Sequence, residues 1–288
     1  MSKNETISVV MPTYNSSAFI CRTLDCIYNQ TVLPNELVIT DDGSEDGTVK
    51  MIEDYVASKK NSAIAVKIFT QKNLGAGAAR NNCIENASFE WIAFLDSDDI
   101  WDNTKIEKVI AAIKANPDVG IITHDEYAVY EDDLSKKQYC NLHENYNPNE
   151  NLFFQLYKGN LFSTSCMVVK RNIILEAGKF DISLRSAQDY DLWIRCGKYT
   201  NCIFLPEALE TYVTRKNNIT ANTYRRYLCE LRIVNKYKTE ILKQYSSVVI
   251  RKRIFNIHKS EAFIALKRGQ IQTFCRIMLS FPIKFLFV

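Results

Sequence analysis

Three carboxylates directly after a short apolar segment are the strongest candidates for chemistry in this chain. Residues 91–95 read Trp-Ile-Ala-Phe-Leu, and residues 96–99 read Asp-Ser-Asp-Asp. The apolar run predicts a fully buried strand of a parallel sheet, and open α/β sheets bind ligands beyond such strand ends. Because acids packed there are costly without a positive partner, we predict a divalent cation carrying a diphosphate. The alternative is a solvated acidic turn in which Asp99 or Asn103 caps the next helix.

The elements around this turn alternate between strand and helix. Strand patterns at 7–11, 36–40, 66–70 and 91–95 are followed by helical patterns at 16–30, 48–57, 73–81 and 104–116. Four such repeats within about 115 residues predict an α/β fold with a right-handed, doubly wound parallel sheet.

This alternation stops after Pro117. We predict strands at 119–123, 165–169, 202–205 and 210–214, helices at 171–177 and 188–198, and only helices from Tyr224 onward. Residues 131–150 are strongly polar, and we interpret them as a mobile functional loop, with a small meander as the alternative.

Composition excludes several classes of protein. The 288 residues are 47% hydrophobic and 24% charged, which is typical of a globular protein. No stretch reaches the roughly 18–20 apolar residues of a membrane span, and the N-terminus shows no apolar signal segment, so we expect a cytoplasmic protein. Nine scattered cysteines and three histidines indicate free thiols instead of disulfides or a zinc site.

Charge is distributed unevenly along the chain. Residues 1–224 carry 22 basic and 30 acidic side chains, whereas residues 225–288 carry 14 basic and 3 acidic ones. The basic tail ends in an apolar segment at 281–288. Such a tail suggests an anionic partner, and we expect a membrane surface. Packing on the main domain or a homodimer through the C-terminal helices remain alternatives, and nucleic acid is disfavoured because no recognition motif accompanies the charge.

A second acidic segment, residues 41–48, nearly fits a calcium-binding EF-hand loop. An EF-hand loop is entered from a helix, but a strand pattern precedes this one, so we reject calcium binding. A strand-to-helix turn explains it better, with Asp42 directed at a base or ribose and Ser44 or Thr48 capping the helix.

Six motifs in order resemble the family 2 inverting glycosyltransferases, over roughly residues 5–220. They are Pro-Thr-Tyr-Asn at 12–15, Asp-Asp-Gly-Ser at 41–44, Asn73 with Gly75 and Ala-Arg-Asn at 79–81, Asp-Ser-Asp-Asp at 96–99, Gly-Lys-Phe-Asp at 178–181, and Gln-Asp-Tyr-Asp-Leu-Trp-Ile-Arg at 188–195. The resemblance implies a GT-A fold, which is Rossmann-like with a mainly parallel sheet flanked by helices, followed here by a C-terminal helical extension.

The resemblance also implies a division of labour along the chain. Residues 1–116 would form the half that binds the nucleotide-sugar, 117–220 the acceptor-binding and catalytic half of the same domain, and 221–288 the basic helical extension. The donor would be a nucleoside diphosphate sugar, with UDP favoured. The acceptor would be a hydroxyl of a glycan or of a polyprenyl-diphosphate-linked sugar, as in the synthesis of O-antigen, capsule or a related glycolipid. The enzyme would be peripheral on the cytoplasmic face of the membrane.

Site roles follow by position from the same resemblance. The nucleotide-sugar would be bound by Pro12, Tyr14, Asp42, Arg80, Asp96 and Asp98. Asp98 and Asp99 would hold Mg²⁺ or Mn²⁺, and Asp189 would be the general base.

Two positions depart from the family pattern. Gln188 stands where the family usually has Glu, and Arg215 would replace the histidine that many relatives carry as a diphosphate contact.

General chemistry supports these roles. A divalent cation held by carboxylates neutralises charge on a departing diphosphate, and a positioned carboxylate takes the proton of the attacking hydroxyl. The structural alternative for Asp189 is a helix cap, while Asp191, Trp193 and Arg195 are expected to be structural.

Two other functions are consistent with the fold. One is nucleotidyl transfer, which normally needs a Gly-rich loop in place of residues 12–15, and the other is a non-catalytic scaffold.

Overall fold

The first four strand patterns form the parallel part of one mixed sheet. The computed structural model describes residues 5–59, 62–215 and 222–281. Its strands are β1 (Ile7–Thr13), β2 (Glu36–Asp41), β3 (Ala65–Thr70), β4 (Trp91–Phe94), β5 (Ile100–Trp101), β6 (Ile121–Tyr130), β7 (Asp133–Cys140), β8 (Val168–Lys170) and β9 (Cys202–Thr214). They lie in the order β3-β2-β1-β4-β8-β6-β9-β5, and β7 pairs with β6.

Helices cover this sheet and continue beyond it. They are α1 (Ile20–Tyr28), α2 (Thr48–Ser58), α3 (Ala76–Asn86), α4 (Lys105–Ala115), α5 (Leu152–Lys158), α6 (Arg171–Glu176), α7 (Gln188–Cys196), α8 (Thr223–Leu242), α9 (Ser247–Lys267) and α10 (Ile271–Leu279). Strands β1, β2 and β4 are buried along their whole length, which is the state that their continuous apolar runs predict.

The sheet is mixed, and its parallel pairs are interrupted by antiparallel ones in its second half. Strands β3, β2, β1 and β4 are parallel, as are β6 and β9. The short strand β8 enters antiparallel between β4 and β6, and β5 is antiparallel to β9. The predicted strands at 202–205 and 210–214 are one long strand, β9. The α/β, mainly parallel class is thus correct, and a single sheet runs across the proposed boundary at residue 116.

The preferred interpretation of 131–150 as a loop is wrong for residues 133–140, because β6 and β7 form an antiparallel hairpin, which is closer to the small meander given as the alternative. Among the described strands, β7 pairs only with β6, and it is mostly exposed. It therefore needs no alternating apolar face that a sequence pattern would reveal. One fully buried carboxylate, Asp125, fastens the chain after the hairpin. It accepts hydrogen bonds from Tyr139 Oη at 2.5 Å, Leu142 N at 2.8 Å and His143 N at 2.9 Å.

The C-terminal helices pack on the sheet domain. Tyr227, Val234, Tyr237 and Ile241 of α8 are buried in the same apolar core as Trp193 of α7. Leu228, which the helical pattern places on that face, is exposed. Within the described residues, no helix is both long and apolar enough to cross a membrane. Residues 282–288, which carry most of the apolar C-terminal segment, lie outside the described residues.

Candidate active site

The predicted acidic turn follows β4, and two of its carboxylates are held by arginines. Arg80 Nη2 donates to Asp96 Oδ1 at 2.5 Å. Arg215 Nη2 donates to Asp98 Oδ2, and its guanidinium carbon lies 3.8 Å from the centre of the Phe19 ring. Guanidinium groups suit both carboxylates and phosphates, and Arg80 and Arg215 bring two positive charges to the turn.

Asp99 has a different environment because it is buried, with 2% of its surface exposed. Its Oδ2 accepts a hydrogen bond from Ser165 Oγ at 2.6 Å, and its Oδ1 accepts one from Val213 N at 3.2 Å. Burial raises the pKa of Asp99 well above its usual value, and the nearby Glu210 adds to this effect. These contacts favour a supporting role for Asp99 over the predicted coordination of a metal.

The helix after the turn is not capped as the alternative interpretation requires. Helix α4 is preceded by Thr104, and neither Asp99 nor Asn103 caps it. Asp102 Oδ1 instead accepts hydrogen bonds from Thr104 N at 2.9 Å and Thr104 Oγ1 at 2.5 Å. Helix capping therefore does not explain the acids at 96–99.

The electrostatics of Asp98 fit a bound cation. Burial raises the pKa of Asp98 and the charge of Asp96 raises it further, while Arg215 opposes both. A carboxylate that is costly to ionise gains from an additional positive charge. Since Mg²⁺ and Mn²⁺ take oxygen ligands and often use one or two carboxylates with the substrate phosphates, Asp98 and the adjacent Asp96 suit such an ion.

The predicted nucleobase contacts lie at the ends of β1 and β2. Pro12 is buried within β1, and Tyr14, just beyond that strand, is 50% exposed. An exposed aromatic ring at this edge is available to stack on a base.

Asp42, the third predicted contact, is buried and holds the segment before α3. Its Oδ1 accepts hydrogen bonds from Gln71 Nε2 at 2.7 Å and Leu74 N at 2.9 Å, and its Oδ2 accepts one from Gly75 N at 2.8 Å. The carboxylate therefore has a clear role in shaping this loop. Its contact with a nucleobase stays a prediction.

The turn at 41–48 is entered from strand β2, as the strand-to-helix interpretation expects. Helix α2 begins at Thr48, with Gly47 before it at a φ of +86°. Neither Ser44 nor Thr48 caps this helix through its side chain. Asp46 Oδ1 instead accepts hydrogen bonds from Thr48 N at 3.0 Å and Thr48 Oγ1 at 2.5 Å.

Helices α3 and α7 meet at their N-terminal turns. A Cβ atom on Gly77 of α3 would collide with the Gln188 side chain of α7, so glycine permits the close approach. This packing brings Arg80 near Asp189. Burial alone would lower the pKa of Arg80, but Asp96, Asp189 and Asp98 outweigh burial and raise it.

Asp189 lies inside the first turn of α7 and does not cap it. The residue before the helix is Ala187, whose backbone is left-handed with a φ of +56°. The Asp189 carboxylate instead accepts a hydrogen bond at its Oδ2 from Thr164 Oγ1, at 3.0 Å. The capping alternative therefore does not account for Asp189.

The neighbours of Asp189 are structural, as predicted. Asp191 is fully buried and accepts hydrogen bonds from Arg195 Nε at 3.0 Å, Lys236 Nζ at 2.8 Å and Tyr237 Oη at 2.8 Å. Trp193 is buried in the apolar core. These contacts join α7 to α8 and fix the helix that presents Asp189.

Sequence reasoning missed four buried polar residues around the turn. They are Lys105, Thr164, Ser165 and Glu210. Burial lowers the pKa of Lys105 to about 8 and raises the pKa of Glu210 to about 8. In the sequence, each of these four residues is recognisable only as a polar side chain within a largely apolar segment. That pattern does not indicate which residue the side chain contacts.

The comparison with known families agrees with this geometry. The sequence model of the family described as glycosyl transferase family 2 matches residues 8–177, more than half of the chain. The chain belongs to glycosyl transferase family 2. The matched region contains the acidic turn and the nucleotide-side residues, while Asp189 and Arg215 lie beyond it.

One curated relative is named the amylovoran biosynthesis glycosyltransferase AmsB of Erwinia amylovora. It is 30% identical over 204 residues, which cover 68% of this chain and 65% of the relative. The match thus spans slightly less than two thirds of the relative's length.

Two solved structures show the fold of this family 2 chain. The S. aureus protein TarS (1–349), in complex with UDP-GlcNAc, has a TM-score of 0.67 at 20% identity, covering 88% of this chain and 73% of that one. Mannosyltransferase PcManGT from Pyrobaculum calidifontis, in complex with GDP-Man and Mn²⁺, has a TM-score of 0.66 at 17% identity, covering 97% and 75%. The predicted GT-A fold is confirmed.

Replacing Asp42 with asparagine should lower the free energy of unfolding by about 1–3 kcal/mol, because an amide cannot accept all three hydrogen bonds and leaves a buried donor unpaired. Urea denaturation measures this. Glu45→Gln, which neutralises an exposed acid of the same turn, is the control and should have little effect. Equal stability of both variants and the wild type would show that Asp42 does not hold the loop.

Proposed function

We propose that this protein is an inverting glycosyltransferase that moves a sugar from a nucleoside diphosphate to an acceptor hydroxyl. The observation that carries the proposal is the environment of the buried Arg80 guanidinium, which donates a hydrogen bond to Asp96 and whose pKa is raised by the charges of Asp96, Asp189 and Asp98. Direct displacement requires acids on the donor side and a separate acid on the acceptor side. Asp96 and Asp98 would serve the donor, and Asp189 on helix α7 would serve the acceptor.

The residues of the acidic turn would act on the donor. A Mg²⁺ or Mn²⁺ ion held by Asp98 would supply positive charge to the departing diphosphate. Arg80 positions Asp96 through their hydrogen bond, and Arg215, stacked on Phe19, is placed beside the same turn to contact phosphate oxygens.

Asp189 would act on the acceptor. Its carboxylate takes the proton of the attacking hydroxyl as the new bond to the anomeric carbon forms and the bond to the diphosphate breaks. Because attack and departure occur on opposite faces of the sugar, the configuration at that carbon inverts. Gln188 in place of the family's usual Glu removes one negative charge beside the base but leaves the base itself.

UDP is the nucleotide that we propose, and Pro12, Tyr14 and Asp42 are the proposed contacts for its base. TarS is described in complex with UDP-GlcNAc, whereas PcManGT is described with GDP-Man and Mn²⁺. The donor comparison should therefore include both nucleotides.

The acceptor that we propose is a glycan or polyprenyl-diphosphate-linked sugar of a surface polysaccharide, met at an anionic membrane surface. AmsB is named for the biosynthesis of the polysaccharide amylovoran.

The membrane surface is proposed from the C-terminal helices. Exposed apolar side chains on α9 and α10, including Phe263, Leu266 and Leu279, lie among many basic residues. A cavity of about 260 Å³ beside α9 is lined by Lys158, Lys252, Arg253, Val249 and Asn256. Basic groups with adjacent apolar surface suit anionic lipid.

The function is tested first through the acidic turn. Asp98→Asn should abolish binding of UDP that depends on Mn²⁺, because it removes the charge that would hold the ion, and the isosteric amide should preserve the fold. Titration calorimetry with UDP, with and without Mn²⁺, measures this. Asp132→Asn, an exposed acid on the hairpin, is the control. Unchanged binding by Asp98→Asn, or full wild-type activity in EDTA, would contradict the metal assignment.

Asp189→Asn tests the base. We expect a loss of about 10²–10⁴-fold in the rate of sugar transfer, the usual contribution of a general base. UDP affinity should barely change, since the base acts on the acceptor. Donor-dependent transfer assays and calorimetry separate the two effects, with Asp118→Asn as an exposed control. Loss of UDP binding, or a large fall in melting temperature, would make Asp189 a structural residue.

Membrane contact is tested by co-sedimentation with vesicles of phosphatidylcholine alone or mixed with phosphatidylglycerol. The full chain should prefer the anionic vesicles and be released by high salt. Lys252→Glu should weaken binding by roughly 30-fold, since it removes one basic group that contributes about 1 kcal/mol near such a surface and adds an acid that is repelled by a similar amount. Lys114→Glu makes the same charge change on α4 and should have less effect. Equal loss in both variants, or no preference for anionic lipid, would contradict this surface.

A further inference from the structure

Three successive buried residues contact three separate parts of the site. Thr164, Ser165 and Cys166 form a single 3-10 turn between α5 and β8. Thr164 Oγ1 donates to the proposed base Asp189, and Ser165 Oγ donates to Asp99 of the acidic turn. We call residues 164–166 the bridging turn, because its consecutive side chains Thr164 and Ser165 contact the proposed base and the acidic turn.

Ser165 fixes the acidic turn at several points. Its Oγ donates to Asp99 Oδ2 at 2.6 Å and accepts a hydrogen bond from Asp96 N at 3.0 Å. Its carbonyl oxygen accepts from Trp101 Nε1 at 2.9 Å and from Lys105 Nζ. One residue therefore holds the first and last acids of the turn, strand β5 and the start of α4.

Thr164 fixes one oxygen of the base and leaves the other available. Its hydroxyl donates to Asp189 Oδ2 at 3.0 Å. Among the described residues, none donates a hydrogen bond to Asp189 Oδ1. The bond therefore limits rotation of the carboxylate while one oxygen can accept the proton of the acceptor hydroxyl.

The bridging turn is itself firmly placed. Cys166 Sγ lies 2.9 Å from Glu210 Oε2 of β9, and Met167 O accepts a hydrogen bond from Phe94 N of β4 at 3.0 Å. Attachments to two strands make the turn a rigid support, which is what precise placement of a reacting group requires.

Resting on the function proposed above, we propose that Ser165 and Thr164 are positioning residues with separate tasks. Ser165 sets the geometry of the acidic turn and hence its affinity for the metal and diphosphate. Thr164 orients Asp189 and hence sets the rate of proton transfer. A misplacement of about 1 Å can cost about 10²-fold in rate, so hydroxyl groups that never touch substrate can still control both steps.

The two tasks predict different losses. Thr164→Val removes the hydroxyl without changing the shape of the side chain, so hydrolysis of the donor should slow by at least about tenfold while affinity for UDP with Mn²⁺ stays within about twofold. Thr164→Ser restores a hydroxyl and should recover most of the rate. Ser165→Ala should instead weaken the affinity for UDP with Mn²⁺ by about tenfold, because the acidic turn loses a donor and an acceptor.

A matched control lies near the amino-terminal ends of strands β1 and β2. Ser8 Oγ donates to buried Glu36 Oε2 at 2.7 Å and accepts a hydrogen bond from Phe89 N at 3.3 Å. It thus repeats the bonding pattern of Ser165 away from the site. Ser8→Ala should lower the melting temperature and leave both UDP affinity and hydrolysis rate unchanged.

The experiment uses the full chain with Mn²⁺, and with UDP-GlcNAc and GDP-mannose as donor probes. Calorimetry with UDP and with GDP gives affinity without turnover, and release of the nucleoside diphosphate gives the rate with water as the acceptor. In that hydrolysis a water oxygen bonds to the anomeric carbon, its proton passes to Asp189, and the bond to the diphosphate breaks. Thermal denaturation of every variant accompanies these measurements.

Separate losses in Thr164→Val and Ser165→Ala, with rescue by Thr164→Ser, would support the proposal. If the wild type is active and both variants match Ser8→Ala in losing only stability, the bridging turn is merely structural and the proposed function stands. If the wild type binds neither nucleotide, the proposed function itself fails, and the positioning roles fail with it.

Discussion

The burial of negative charge at the end of β4 is the constraint on which the rest of the site depends. Three carboxylates within four residues follow a strand that is wholly inside the protein, and isolated charges are costly there. The protein offsets this cost with cations and donors from distant parts of the chain. Arg80 comes from α3, Arg215 follows β9, and Ser165 belongs to the bridging turn. The hydrogen bonds and ion pairs made by these acids therefore bring the residues of the site together.

The C-terminal extension contributes to the same assembly from the outside. Its helix α8 supplies Lys236 and Tyr237 to the buried Asp191, two residues after the proposed base. A buried acid that lost these partners would be strongly destabilising. The extension thus supports α7 as well as carrying the basic surface, and a role in folding is compatible with a role in docking to anionic lipid.

Local sequence patterns predicted the strands and helices that are determined by the order of apolar and polar residues. The continuous apolar run at 91–95 identified β4, and the acids after it are the basis for the proposed diphosphate site. The hairpin was ranked behind a loop, with a small meander only as the alternative, because strand β7 is mostly exposed and has no apolar alternation to reveal it. The long strand β9 was divided in two because Pro206 and polar residues interrupt its pattern.

The supporting residues could not be predicted because their partners are remote. Ser165 contacts Asp99 across 66 positions, and Thr164 contacts Asp189 across 25. A serine within a predicted strand gives no sign of such a partner. The same limit explains Asp99, which the motif assigns to a metal, although its burial and its two hydrogen bonds suit a support of the turn. Composition and periodicity report burial and secondary structure, but not which polar groups meet after folding.

Asp189 and the acidic turn are assigned to opposite faces of the sugar, so the stereochemistry of transfer tests the proposed mechanism most directly. It can be followed by proton NMR of the first-formed sugar during hydrolysis of UDP-GlcNAc, whose sugar is α-linked. We expect β-GlcNAc to form first and to equilibrate slowly with the α-anomer. Initial formation of α-GlcNAc would contradict a single direct displacement and the role given to Asp189.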